Sequence, residues 1–186
     1  IDRILEQESV APFIARKGAV RFLSPHVEDA TVARLAERFR KSRYDMRTLM
    51  HDLFTSPEFT SPAAYRALLK SPVEYMVSAA KVFAAPQLAK LAIQAGQGMG
   101  QVLFDPPSVG GWPENESWIS SSTMLARINF AAAAIAQLRT VPRSDDAHAV
   151  FLDATLGPQT LRLLNEAHDD RRRWTVVLCC SEFQLK

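Results

Sequence analysis

Apolar residues spaced at i, i+3, i+4 and i+7 recur along most of this chain, and alternating apolar–polar runs are essentially absent. That spacing puts side chains on one face of a 3.6-residue helix. Val32, Leu35, Ala36 and Phe39 form one stripe, and Met46, Leu49, Met50, Leu53 and Phe54 a second. Val73, Met76, Val77, Ala80 and Phe83 form a third; Leu88, Leu91, Ala92, Ala95 and Met99 a fourth; Met124, Leu125, Ile128, Ala132 and Ile135 a fifth. An apolar stripe is stable in water only against another. The chain is therefore expected to be all-α: a compact bundle of antiparallel helix pairs, one helical domain over residues 1–186.

Local punctuation agrees. "SPVE" from Ser71 has a capping serine, a proline at the first helical position and a glutamate that reaches back. "SPAA" at Ser61 and "GPQT" at Gly157 look like starts of the same kind. Residues 140–146, with Pro142, read as a connector. "WTVVLCC", ending in Cys179 and Cys180, reads as a buried helix despite its β-branched residues. The reason is an internal repeat. "TVARLAERFRKSRYDMRTLMHDLFTSPEF" from Thr31 and "TLRLLNEAHDDRRRWTVVLCCSEF" from Thr160 share a Thr-x-x-x-Leu start, a polar break, an apolar helix and a closing Glu-Phe, Glu58-Phe59 and Glu182-Phe183. Two copies are too few for a solenoid and imply a two-helix unit used twice.

Several classes are set aside. The net charge of +2, from 22 Lys and Arg against 20 Asp and Glu, is too small and too dispersed for a nucleic-acid face. No apolar run approaches the ~20 residues of a membrane span. His26, His51, His148 and His168 are scattered and no Cys-x-x-Cys or His-Glu-x-x-His occurs, so no metal or cofactor is expected. "GQGMG" at Gly96 lacks a phosphate loop's context and reads as a helix end. Two adjacent cysteines make no disulfide framework. The first residue is not Met and "IDRILEQ" reads as helix interior, so the chain is expected to be the C-terminal piece of a longer protein, its remainder being the first partner.

One stretch departs from the pattern: "FDPPSVGGWPENESWISSSTMLARINF", residues 104–130. Pro106 and Pro107 stop a helix, Gly110 and Gly111 free the backbone, and Ser120–Ser122 offer an N-cap. Trp112 is expected to tuck inward and Trp118 to stand out. Two readings stay open. The loop is packing, docked across the bundle, with Arg127 bonding loop carbonyls. Or it is a ligand site of Trp112, Glu114, Asn115, Glu116, Trp118 and Arg127, a set suited to sugars, because indole faces stack on rings and amide and carboxylate groups bond hydroxyls. Glu114 and Glu116 would then be the candidate acid–base pair of a glycosidase.

The longer segment "GQVLFDPPSVGGWPENESWISSSTMLARINF" resembles the signature of a bacterial family, domain of unknown function 1800. It matches at Gly100, Gln101, Leu103, Phe104, Pro106, Pro107, Val109, Gly111, Trp112, Pro113, Trp118, Leu125, Arg127, Asn129 and Phe130. "LLKSPVEYMVSAAKVF", "FTSPEF" and "SEFQLK" fit the same family. The resemblance implies a longer parent with a helical N-terminal half and, for many members, export to the periplasm or beyond. It carries no catalytic residue. The expected role is a non-catalytic structural or ligand-binding helical module; the alternative is a polysaccharide hydrolase whose site the rest of the protein completes.

Overall fold

The computed structural model describes residues 1–143, 152 and 155–186, whose regular elements are helices joined by turns and irregular segments. The only β pairing among them is an isolated antiparallel bridge between Leu69 and Leu185. The chain divides into two compact units, Ile1–Leu68 and Leu69–Lys186.

The first unit contains α1 (Asp2–Leu5), α2 (Val10–Phe22), α3 (Asp29–Lys41) and α4 (Met46–Phe54). On α2 the buried face is Ala11, Ala15 and Ala19, spaced by four. Side chains this small let α3 approach closely. Its stripe, Val32, Leu35, Ala36 and Phe39, is buried against them with Leu49 and Leu53 of α4. The polar break is a sharp turn: Arg43 and Tyr44 both have positive φ, and the Asp45 carboxylate caps α4 by accepting from the Thr48 N–H at 3.0 Å.

The second unit contains α5 (Pro72–Val82), α6 (Ala89–Gly98), α7 (Ser121–Gln137), α8 (Pro158–Glu166), α9 (Asp170–Cys179) and the short α10 (Ser181–Gln184). The Ser71–Glu74 capping box forms as expected at α5. α6 ends in the glycines, Gly100 having φ of 87°. "WTVVLCC" is helical, with Trp174, Val177 and Leu178 buried. Three expectations need correction or limits. Ser61 starts no helix; its hydroxyl donates to the Glu58 carbonyl within a run of turns ending at Arg66, whose φ is positive. On α7 the buried face is Arg127, Phe130, Ala131, Ala134 and Ile135, whereas Leu125 and Ile128 are exposed. α7 is apolar nearly all round, so periodicity alone did not choose the face; the alanines, which permit close packing of α9, and the partners of Arg127 did. Positions 144–146 of the expected connector lie outside the described residues.

The internal repeat is visible in hydrogen bonds. Thr31 at the start of α3 donates to the Glu58 carboxylate at 3.0 Å, and Thr160 at the start of α8 donates to that of Glu182 at 3.0 Å. The Ser56 hydroxyl donates to the Leu53 carbonyl and accepts from the Phe59 N–H; the Cys180 thiol does the same with Val177 and Phe183. Asp45 and Asp169 cap the second helix of each pair alike. Each pair is thus closed by one clasp: a threonine on the first helix, a glutamate after the second, and a short side chain that turns the backbone between them.

The clasp of the first unit has a pH signature. The Arg34 guanidinium, with help from Thr31, holds Glu58 down at about 2 from an ordinary 4.5. A carboxyl depressed in the folded state stabilises it above the unfolded pKa and loses that contribution as pH falls through the folded one. Acid titration of the unfolding midpoint should therefore show a loss between about 4.5 and 2 that is missing in Glu58→Gln. Glu58 is more than a third exposed, so the effect should be small, well under the unscreened linkage value. Identical acid limbs in the two proteins would show that the clasp does not carry this charge dependence.

Candidate functional site

The departing loop is tied at both ends. At its start the Gln101 N–H donates to the Gly96 carbonyl at 2.9 Å, and the Gln101 side-chain oxygen accepts from the Val73 N–H at 3.0 Å. A Cβ on Gly96 would lie 2.6 Å from the Gln101 carbonyl oxygen, so only glycine permits this return. At its end Trp118 is buried, and the Trp118 carbonyl accepts from the Thr123 hydroxyl at 3.0 Å. Ser120 and Thr123 then form a reciprocal cap on α7. The two ends meet: a Cβ on Gly100 would stand 3.9 Å from the Trp118 ring. A long loop with adjoining ends and ordered anchors is an Ω-like arrangement, often a carrier of function.

Between the anchors the loop is open. Phe104 is 95% exposed with φ of 66°, and Val109 is fully exposed. Trp112 is half-buried. Residues Asn115–Trp118 form one 3₁₀ turn, entered through Asn115 with φ of 49°. Glu114 and Glu116 are exposed at its start and Asn115 is half-buried. The indole roles are thus the reverse of expectation. Trp118 is the anchor because it immediately precedes α7 and inserts beside Gly100, which has no side chain to obstruct it. Trp112 is the ring that solvent reaches.

Arg127 sits elsewhere, in the interior of the second unit, 1% exposed. Its guanidinium donates to the Gln184 side-chain oxygen at 2.8 Å and the Lys70 carbonyl at 2.9 Å, and lies over the Tyr75 ring, 5.1 Å from its centroid. Its Nε is buried with no hydrogen-bond partner. Tyr75 in turn donates to the Arg127 carbonyl at 3.2 Å, and burial pushes the phenol pKa up. Burial also depresses the guanidinium's pKa. Gln184 passes the network on, donating to the Leu178 carbonyl at 2.8 Å. The Lys70 ammonium donates to the Phe183 carbonyl at 2.7 Å and lies over that ring. Arg127 thereby fastens the last residues of the chain to the segment before α5.

The structure therefore brings Trp112, Glu114, Asn115 and Glu116 together on one exposed stretch, sets Trp118 beneath it and gives Arg127 a separate, interior position. Sequence reasoning named Arg127 but missed Gln184 and Lys70, its partners. The only signals for them were the "SEFQLK" ending and the "LLKSPVEY" segment, whose patterns do not say what the glutamine and the Lys70 carbonyl meet. Among the described residues no three His, Cys, Asp or Glu side chains are grouped to hold a metal ion; His148 lies outside them. No described helix is long and apolar enough to cross a membrane. Cys179 and Cys180 are free thiols, half-buried, and burial pushes them up to about 11 and about 12. At neutral pH they are un-ionised and poorly nucleophilic.

Residues 1–185 match the family described as "Protein of unknown function (DUF1800)", and the chain belongs to that family. No curated protein and no solved structure matches it.

Three substitutions test this assignment of roles. Trp118→Ala should cost about 3–5 kcal/mol, the range for deleting a large buried aromatic, and Trp112→Ala clearly less. Arg127→Lys should also be costly, on the order of 3 kcal/mol, because an ammonium cannot reproduce two charge-assisted bonds diverging from one plane. Urea denaturation of the three variants checks both. Equal losses at the two tryptophans would contradict the anchor and surface roles.

Proposed function

We propose that the chain is a non-catalytic helical module of a larger exported bacterial protein, and that it serves to present the 101–117 loop as a ligand-binding surface, with polysaccharide as the ligand class. The observation that carries this reading is the contrast between the loop's ends and its middle. Buried Trp118 and the Gln101 bonds fix the ends, while between them Glu114 and Glu116 are exposed and Trp112 and Asn115 half-buried. A surface held in place this way limits the ordering entropy a ligand must overcome. Trp112, not Trp118, is the stacking platform in this reading.

The hydrolase alternative has less support. A glycosidase needs two carboxyls flanking a bound sugar, about 5–9.5 Å apart. Glu114 and Glu116 are exposed neighbours at the head of a single 3₁₀ turn.

Tryptophan fluorescence titrated with neutral and acidic oligosaccharides tests the proposal. Binding should shift emission in the native chain and in Glu116→Gln, and the response should disappear in Trp112→Ala. A native chain silent to every oligosaccharide would reduce the loop to packing.

A further inference from the structure

The first limb of the loop carries an aromatic ring that the chain itself does not pack. Phe104 is 95% exposed, and its backbone holds φ of 66°, a region that disfavours residues with a Cβ. Glycine would make the same turn without that cost. Strain at a residue that shows a benzyl group to water points to something the ring meets. Leu103 beside it is 50% exposed, and Asp105, which follows, is exposed as well.

A complementary groove of about 500 Å³ lies in the same unit, where the end of α5 meets the start of α6. Its lining is aliphatic: Met76 and Ala85 are buried in it, and Val77, Ala80 and Ala89 stand nearer the surface. Three of these side chains are single methyl groups, so the groove is room that longer side chains would have filled. Lys81, the one charged residue of the lining, is exposed. Among the described residues neither Lys81 nor Asp105 has a salt-bridge partner.

We propose that this groove receives Phe104 of a second copy of the chain, in a reciprocal contact that makes a two-fold dimer. The ring lies against Met76 and Ala85, Leu103 takes the room that one benzyl group leaves, and Asp105 meets the Lys81 ammonium across the contact. Charge selects this occupant: the knob is followed by a carboxylate and the groove is edged by an ammonium. Reciprocity follows from both features belonging to one chain, since a two-fold exchange covers both rings whereas a head-to-tail contact leaves one bare. Inserting one phenylalanine buries about 200 Å² of its surface. Two such insertions fall short of the ~1,200 Å² of a stable interface, so the dimer is a weak one. Trp112 and the 3₁₀ turn are not needed, and the contact does not rest on the sugar reading.

Sedimentation velocity of the chain at concentrations up to about 0.5 mM, a range that reaches weak interfaces, tests the proposal. The native chain should approach dimer mass as concentration rises. Phe104→Gly should stay monomeric with helicity and melting temperature retained, because the exposed ring supports nothing and glycine accepts the positive φ. Lys81→Glu and Asp105→Lys should each weaken association roughly tenfold or more by setting like charges together. The double variant restores the pair with its signs exchanged and should associate as the native chain does. A native chain that stays monomeric throughout, Phe104→Gly associating like the native chain, or a double variant no stronger than either single one would overturn the proposal. Growth beyond dimer mass would overturn the reciprocal geometry.

Discussion

A single buried guanidinium, met among the described residues by neutral acceptors and a ring face, ties the second unit together. Arg127 gathers Gln184, the Lys70 carbonyl and the Tyr75 ring around itself. A buried charge is costly unless its donors are satisfied; here neutral acceptors serve the two terminal nitrogens and a π face lies beneath the group, while Nε is left without a hydrogen bond. The consequence is that the segment around Gln184 is held in place. Gln184 is fixed, so Phe183 is held in the core and Glu182 lies where it can clasp α8. The loop inherits its stability from the same helix: α7 carries Arg127 on its inner face and begins immediately after Trp118. One helix thus fixes both the floor of the exposed loop and the closing strap of the α8–α9 pair.

Where polar and apolar faces are cleanly segregated, the sequence was sufficient. α3 carries Arg34, Glu37, Arg38 and Lys41 opposite Val32, Leu35 and Phe39, and its buried face is the expected one. α7 has no such contrast, and its orientation is set by partners 57 residues away, Lys70 before it and Gln184 after it, which no local pattern contains. The tryptophans fail for a related reason. In a loop without periodicity, burial depends on which ring finds a gap, and the gap beside Gly100 is created by the fold. The repeat fared better because it rests on residue types at both ends of a unit. Its Thr and Glu were legible as a recurrence, though their hydrogen bond was not.

The clasp also explains how the two copies were free to diverge. Its geometry is carried by a threonine, a glutamate and a turn residue, and these persist even where Ser56 becomes Cys180. The ion pairs laid over it in the first copy, Arg34 with Glu58 and Arg38 with Asp52, are solvent-exposed on the arginine side, and exposed pairs contribute about 0–1 kcal/mol each. Removing them therefore threatens the helix pair little. What it changes is the surface: two long cationic side chains and an aspartate become Leu163, Ala167 and Val176, and a bridged seam becomes an open groove. Since the seam was never the main source of stability, its loss in the second copy is permitted by the clasp.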